Sequence, residues 1–275
     1  MKIRVATYNI HKGMSYRSHP RVHALKQAIG QFEADVVFLQ EVQGKHDRIA
    51  EKFGSEANGH RHWPNTAQHE FFAGEDRHSV YGMNAKYDHG HHGNALLSNF
   101  PIAHWTNTDI SDHKYESRGI LHCIVETPAL PIHCYVVHLG LFEGSRTRQT
   151  QSLIDAVRET APDDAPVIIA GDFNDWRNTL SDTLRKALGV VEVFDEIGSH
   201  PSLGDLVRTM ARRQASVRPA RTFPAALPFF RLDRIYVRGF HVEAAQVLHG
   251  AAWAKLSDHS PIVATLQLTK DHAVG

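Results

Sequence analysis

The chain has 275 residues with 30 basic and 30 acidic side chains, so its formal net charge is zero. Hydrophobic residues make up 42% of the chain, as in an ordinary globular protein, and no apolar run is long enough to cross a bilayer. Duplex-binding proteins usually carry a basic excess, so this balance argues against tight nucleic-acid binding, although a local basic groove would still suffice for a nuclease.

No stretch of the chain resembles a linker or a repeat, which predicts one domain over residues 1–268 and a short tail at 269–275. Lys2 leads directly into a strand-like stretch, without the apolar segment of a secretory signal. Cys123 and Cys134 flank a predicted hairpin loop, where two small buried residues on neighbouring strands are a better interpretation than a disulfide. Together these features predict a cytoplasmic protein.

Apolar runs and alternation predict the strands, and apolar positions at helical spacing predict the helices. In chain order, the pattern predicts a strand at 2–9, a helix at 20–33, a strand at 35–40, a helix and then a loop within 45–63, strands at 93–98, 102–110, 119–126 and 132–138, a helix at 144–160, a strand at 167–170, a helix at 179–188, and strands near 221–223, 232–237, 241–248 and 261–268. Residues 70–74 fit either a helix or a strand. Many strands with few helices between them favour two packed sheets with helices outside.

Four of the predicted strands have an acceptor-rich side chain at one end. Asn9 ends the first strand and Glu41 follows the second. Asp172 and Asn174 follow a third, and the segment Ser257-Asp258-His259-Ser260-Pro261 leads into the last. Carboxylates at strand ends are held rigidly, and Mg²⁺ and Mn²⁺ prefer hard oxygen ligands. These residues therefore predict a site for one of the two ions.

Seven short motifs follow one another between Thr7 and Leu266: TYNIHKG, LQEV, GNALLS, HLGL, GDFND, RLDRIYV and SDHSP. Together they resemble the endonuclease/exonuclease/phosphatase superfamily, the metal-dependent hydrolases related to DNase I, AP endonucleases and neutral sphingomyelinases, and within it a bacterial branch. The resemblance implies a DNase I-like fold of the α/β (α+β) class, a four-layer sandwich of two packed mixed β-sheets flanked by helices. It also implies a site at one end, between the sheets.

The resemblance implies a role for each residue of these motifs. Asn9, Glu41 and Asp258 would form the metal site, where Asn9 contacts metal or phosphate and Asp258 reaches the metal directly or through water. Asp172 would orient or deprotonate the attacking water. Asn174 would donate its amide to a phosphoryl oxygen.

Two histidines and one further aspartate complete the implied catalytic set. His138 would donate to the leaving oxygen or the phosphate, with a buried core histidine as the alternative. His259 would contact the phosphate or take the proton of the water. Asp233 is its natural partner, because a carboxylate that accepts the imidazole N–H fixes the tautomer and raises the pKa of histidine. The alternative for Asp233 is a salt bridge to Arg231 or Arg234.

The remaining motif residues are less specific. Asn94 and Arg118 match recurring family positions, which implies substrate contacts, with structural roles as the alternative. His91 and His92 suggest zinc, but no further ligand has the spacing of a zinc site. Gln43 stands where AP endonucleases usually have a lysine, which argues against abasic-site cleavage.

A basic concentration precedes the apolar segment 225–230. Its members are Arg208, Arg212, Arg213, Arg218 and Arg221. These residues fit either a solvated helix that leads into a strand, or an anion-binding lip that contacts a phospholipid surface or single-stranded nucleic acid.

We therefore expect a phosphoesterase that depends on Mg²⁺ or Mn²⁺, and favour a phosphodiesterase that prepares water for in-line attack. Lipid headgroups and small-molecule diesters fit the neutral charge better than nucleic acid does. The alternative on substrate is a DNA or RNA nuclease. A second alternative is a protein that is not an enzyme, namely a catalytically inactive binding protein with the same fold. The complete set of site residues argues against it.

Overall fold

The computed structural model describes residues 1–15, 18–113, 116–199 and 220–269. The described strands form two sheets. Sheet 1 contains β1 (Lys2–Asn9), β2 (Val36–His46), β3 (His78–Tyr87), β4 (Gly90–Ser98), β11 (Phe240–Val247) and β12 (Ile262–Leu268). Sheet 2 contains β5 (Ile102–Asp109), β6 (Gly119–Glu126), β7 (Pro131–His138), β8 (Val167–Asp172), β9 (Val191–Glu192) and β10 (Asp233–Arg238).

The helices lie on the outer faces and in the connections. They are α1 (Val22–Gly30), α2 (Asp47–Phe53), α3 (Gln68–Ala73), α4 (Glu143–Thr160), α5 (Ser181–Leu188), α6 (Val193–Ser199) and α7 (Ala251–Ala254), with 3₁₀ turns at His11–Gly13 and Glu56–Arg61. No helix in the described ranges is both long enough and apolar enough to span a bilayer.

Both sheets are mixed, with one parallel pair each. The strand order is β11-β12-β1-β2-β4-β3 in sheet 1 and β5-β6-β7-β8-β10-β9 in sheet 2. The parallel pairs are β1 with β2 and β7 with β8, and the other neighbours are antiparallel. A parallel pair needs a long crossover connection, which includes α1 in sheet 1 and α4 in sheet 2.

The core has three parts because the central strands are buried on both faces. Ile3 and Val5 of β1 point into the core between the sheets, whereas Ala6 and Tyr8 pack under α1, as the two-residue repeat of a strand requires. On the other side, α4 and α5 cover sheet 2 through residues such as Leu153. The layers therefore run helix, sheet, sheet, helix, which confirms the predicted four-layer DNase I-like sandwich.

Several boundaries differ from the prediction. The strand expected at 35–40 continues to His46, and 70–74 belongs mostly to α3. Around 221–223 there is only an isolated bridge between Phe223 and Phe230. The sequence did not indicate β3, because this edge strand is half exposed and has no apolar alternation. The sequence pattern also did not predict the short helices α6 and α7.

The structure bears on the predictions for the two cysteines and for part of the basic concentration. Cys123 and Cys134 lie opposite each other on β6 and β7, both as buried free thiols. Arg221 is exposed. The other four arginines of the basic concentration fall within 200–219, outside the described residues, as do residues 270–275 of the predicted tail.

Candidate active site

Strand ends from both sheets meet at one end of the sandwich. Asn9 ends β1, and His138 and Asp172 end the parallel strands β7 and β8. In sheet 2, Asp172 lies directly between His138 and Asp233, in register with each. The antiparallel strand β10 begins where β8 ends, so Asp233 comes to the same edge. The topology thus places four of the predicted site residues together.

Glu41 reaches the site through a bulge in β2. Leu39 pairs with Ala95 and Val42 with Gly93, so two β2 residues, Gln40 and Glu41, oppose one residue of β4. Glu41 has a left-handed φ of 55°, a conformation that costs a non-glycine residue free energy. The bulge lets the strand continue to His46 while turning the Glu41 side chain towards the cleft, and it explains the misplaced strand end.

The carboxylate of Asp172 is the centre of the cluster and is 2% exposed. Its Oδ2 lies 3.1 Å from Nδ2 of Asn9, 3.5 Å from Nε2 of His138 and 3.7 Å from Nε2 of His259. The same Asn9 amide is 3.5 Å from Oε1 of Glu41. Burial raises the pKa of Asp172, while the His259 imidazole acts in the opposite direction.

His259 is held by a second carboxylate. Its Nδ1 lies 2.9 Å from Oδ2 of Asp233, which leaves Nε2 directed towards Asp172. Burial favours the neutral imidazole, but the carboxylates of Asp233 and Asp172 outweigh it, and the pKa of His259 is raised. Arg234 is fully buried and donates to the main-chain oxygens of Asp233 and Asp175, not to the Asp233 carboxylate.

Asn174 and His138 also contact Asp172. The main-chain N–H of Asn174, in a residue with φ 50°, donates to Oδ1 of Asp172 at 3.0 Å. Its side-chain amide donates to the carbonyl oxygen of Leu139 at 2.9 Å, which ties the loops after β7 and β8 together. Burial and the nearby Arg118 guanidinium hold the pKa of His138 well below its usual value.

Asp258 lies beside this cluster. Its Oδ1 is 3.1 Å from Nδ1 of His11, and this hydrogen bond raises the pKa of that histidine. The adjacent Ser257 hydroxyl donates to the carbonyl oxygen of Asn9 at 2.7 Å. The segment that precedes β12 is therefore tied to the end of β1. His11 lies two residues after Asn9 in the motif TYNIHKG, but nothing in the sequence alone distinguishes it from the other histidines.

A cleft of about 310 Å³ opens at this cluster. It is lined by Lys12, Glu41, His92, Arg118, His138, Leu141, Asp172, Asn174, Phe223, Leu232 and His259. Two larger cavities, of about 570 and 420 Å³, lie beside α5 and α4 and include none of the predicted site residues. The chemistry of the cleft makes it the candidate active site despite its smaller size.

One wall of the cleft is cationic. Lys12 and Arg118 both line it, and neither forms an ion pair with any carboxylate in the described ranges. Burial, with the nearby Lys12 and Arg118 charges, lowers the pKa of His92 to about 4. Sequence reasoning named Arg118 but missed Lys12 and His92 as cleft residues.

Asn94, His91 and Gln43 do not line the cleft and form hydrogen bonds elsewhere in the fold. Asn94, opposite the β2 bulge, donates its amide to the carbonyl oxygens of Gly119 and Val136, at 2.9 and 3.3 Å, and so links the two sheets. His91 bonds to the Tyr81 hydroxyl at 2.9 Å. Gln43 is 1% exposed and donates to Tyr87 and to the main chain of His91.

The described residues contain one group of three side chains close enough to share a metal ion, namely Asp172, Asp233 and His259, with ligand atoms within 4.8 Å of one another. The 2.9 Å contact between Asp233 and His259 is a hydrogen bond. It engages Nδ1 of His259 and Oδ2 of Asp233 with each other. Glu41 and Asp172, which share the Asn9 amide and open to the cleft, are therefore the better oxygen pair for a hard cation.

Comparisons with known proteins identify the family of the chain. The model of the Endonuclease/Exonuclease/phosphatase family matches residues 6–259. The Uncharacterized protein YbhP of Escherichia coli K12 is 39% identical over 269 residues, covering 96% of each chain. A solved endonuclease/exonuclease/phosphatase family protein from Bacteroides thetaiotaomicron aligns with a TM-score of 0.69 and 16% identity, over 100% of this chain and 98% of that one.

A second solved structure, TDP2 of D. rerio complexed with single strand DNA product, aligns with a TM-score of 0.67 and 18% identity, over 97% of this chain and 99% of that one. At such low identity the two structures show a shared fold alone. The family model, by contrast, matches nearly the whole chain, from within β1 to His259. The chain therefore belongs to the endonuclease/exonuclease/phosphatase family.

Proposed function

We propose that this protein is a divalent-metal-dependent phosphodiesterase that hydrolyses its substrate by in-line attack of water. Membership of its family supports an enzyme that acts on phosphoester bonds. The observation that carries the proposal is the surroundings of Asp172. One oxygen of this buried carboxylate faces the Asn9 amide and two imidazoles, at the wall of an open cleft. Phosphoryl transfer requires this kind of positioning and charge stabilisation.

The residues present fit a hard divalent cation. Glu41 and Asp172 supply carboxylate oxygens around the shared Asn9 amide, and Asp258 completes the proposed set directly or through water. Two carboxylates near a buried amide repel each other when charged, so a cation is favourable there. Bound Mg²⁺ or Mn²⁺ would polarise the phosphoryl group and stabilise the leaving oxygen.

The chain's own residues divide the remaining work. Asp172 orients the attacking water and accepts its proton. The imidazole of His259, oriented by Asp233, contacts a phosphoryl oxygen through Nε2. We assign His138 and the second amide hydrogen of Asn174, whose first is donated to Leu139, as donors to the phosphate or to the leaving oxygen. Lys12 and Arg118 attract the anionic substrate to the cleft.

The substrate we favour is a phosphate ester other than duplex nucleic acid, such as a lipid headgroup or a small-molecule diester, because the chain has no basic excess. A DNA or RNA nuclease is the second candidate, and the fold shared with a DNA-bound TDP2 structure is the observation in its favour. A catalytically inactive binding protein would be expected to have lost part of the cluster. Instead, Asn9, His138, Asp172, Asp233 and His259 are all in contact.

Metal removal tests the proposal. A chelator should abolish hydrolysis of a soluble chromogenic diester, and excess Mg²⁺ or Mn²⁺ should restore it. Glu41→Gln should weaken metal binding, so its activity should recover partly as the metal concentration rises. Plasmid DNA, RNA, phospholipids and a chromogenic monoester, assayed in parallel with each metal, rank the substrate classes. Full activity in excess chelator would contradict the proposed mechanism.

A further inference from the structure

Exposed hydrophobic side chains are concentrated beside the cleft. Of the large hydrophobic residues that are exposed in the described part of the chain, two lie on the edge strands β3 and β5, namely Met83 and Trp105. The others follow β7 and β8 or precede β10, at the end of sheet 2 that forms the site. We call this group the apolar lip: Leu141, Phe142, Trp176, Leu227, Phe229 and Phe230.

Ring contacts join the apolar lip to the catalytic cluster. The Phe223 ring lies 4.9 Å from the His259 ring and 6.5 Å from Phe230. Phe230 in turn meets the edge of Trp176 at 6.5 Å. Trp176 and Phe230 are therefore joined to the cleft wall through Phe223, and Leu141 lines the cleft itself. An apolar group at this part of the lip would lie next to a phosphate in the cleft.

The lip is exposed although it offers apolar area that water disfavours. Phe142 is 66% exposed, Leu227 is 64% and Phe229 is 58%. A group of exposed large apolar side chains at one end of a protein is typical of an interaction surface. Lys12 and Arg118 lie in the adjacent cleft, without a carboxylate partner in the described ranges. An apolar surface next to unpaired cations complements a lipid, which joins acyl chains to an anionic phosphodiester.

The composition of the lip favours lipid over single-stranded nucleic acid. Base stacking needs accessible ring faces, but Leu141 and Leu227 have no ring. The guanidinium of Arg146 lies 4.7 Å from the centroid of Trp176 and occupies one of its faces, and Phe230 packs against the same ring. A strand would also need a row of cations along its path, and zero net charge provides no general excess.

We propose that the apolar lip docks on an anionic phospholipid surface and presents the phosphodiester of a phospholipid headgroup to the cleft. The proposal rests on the phosphodiesterase function above and assigns its substrate class. Phe142 and Phe229 insert into the lipid interface, and Lys12 and Arg118 bind the phosphodiester of the headgroup. Water then attacks phosphorus while the P–O bond to the leaving alcohol breaks. The products are an alcohol and a phosphate monoester, so no further reactant is required.

The test compares a lip variant with a control of the same chemistry elsewhere. We expect the wild type to co-sediment with phosphatidylglycerol vesicles and less with phosphatidylcholine vesicles, in chelator, where no turnover occurs. The double variant Phe142→Ser/Phe229→Ser should bind the anionic vesicles at least about tenfold more weakly, because it removes two inserted rings. The control variant Trp105→Ser also removes an exposed ring, since Trp105 on the edge strand β5 is 47% exposed. It should bind the vesicles as tightly as the wild type does.

Three readouts separate the outcomes. Melting temperatures should be unchanged in both variants, since exposed side chains contribute little to folding. The double variant should hydrolyse the soluble diester at a rate within about twofold of the wild-type rate. Its turnover of phospholipid in vesicles should fall in parallel with its binding to the vesicles. No binding of the wild type to anionic vesicles, or equal binding by the double variant, would overturn the proposal. So would a loss of oligothymidylate binding in that variant with vesicle binding intact, which would assign the lip to nucleic acid.

The proposed function can fail separately. If the wild type hydrolyses no diester with either metal, the phosphodiesterase proposal is wrong. Because vesicle binding is measured in chelator, that result leaves the docking measurement to decide on the lip by itself.

Discussion

At the scale of single residues, the position of Asp172 makes its role separable from folding. Asp172→Asn keeps the size of the side chain next to the Asn9 amide but removes the charge that we propose orients the attacking water. We expect kcat on a soluble diester to fall at least about 10²-fold, the scale of one acid–base group. The melting temperature in chelator should stay level or rise, because active-site carboxylates are seldom optimal for stability.

Asp175 provides a matched control three residues further on. Its carboxylate accepts hydrogen bonds from the Thr179 hydroxyl and from the main-chain N–H of Leu180, at 3.0 and 2.8 Å. Asp175→Asn should therefore lower the melting temperature more than Asp172→Asn does and lower kcat less. The reverse order of these effects would mean that Asp172 stabilises the fold more than it serves the reaction.

His259 and Asp233 should act as one unit. His259→Ala removes the imidazole at the cleft, with an expected loss in kcat of at least about 10²-fold. Asp233→Asn disturbs only its orientation and pKa, so the loss should be smaller. Because residues that act together are not additive, the double variant should be little worse than His259→Ala alone. Kinetics of the four proteins decide this, and multiplicative losses would show that Asp233 has an independent role.

Residue-scale prediction from sequence worked where a motif contains the contact partners. The motifs RLDRIYV and SDHSP led to the expected partnership of Asp233 with His259, and the two lie 2.9 Å apart. Lys12 and His92 were missed as cleft residues because their positions depend on tertiary structure. Lys12 has a left-handed φ of 56° in the turn after β1, and His92 lies on β4 across the sheet from it.

At the scale of elements, the bulge in β2 couples backbone conformation to the site. Glu41→Gly and Glu41→Ala both remove the carboxylate, but only glycine adopts a φ of 55° without cost. In chelator, Glu41→Gly should be more stable than Glu41→Ala by about 1 kcal/mol. Urea denaturation of both variants measures the difference. Equal or greater stability of the alanine variant would contradict a left-handed conformation at residue 41.

Elements were predictable to the extent that burial decides them. Strands such as β7 and β8 are buried along nearly their whole length and stand out as apolar runs. In contrast, β3 depends on hydrogen bonds to β4 and has few buried positions, so its sequence carries no clear period. The continuation of β2 past residue 40 was hidden because a bulge breaks the alternation that would have revealed it.

At the scale of the whole molecule, the net charge predicts how tightly the protein binds nucleic acid. Each phosphate neutralised on duplex DNA adds about −0.9 to the slope of log K against log salt. With zero net charge and two unpaired cations in the cleft, we expect weak duplex binding and a slope no steeper than about −2. Fluorescence anisotropy across a range of salt concentrations measures this. A markedly steeper slope with tight binding would favour the nuclease.

The pairing of β1 with β12 has a consequence for how the protein is made. Lys2 pairs with Gln267 and Thr7 with Ile262, in the middle of sheet 1. A ribosome therefore releases β1 long before its partner exists, and such distant pairing slows folding. Asp258 and His259 directly precede β12, so the strand that closes sheet 1 also brings the last two residues of the proposed site. We therefore expect a nascent chain to show none of the proposed hydrolytic activity until its core is complete.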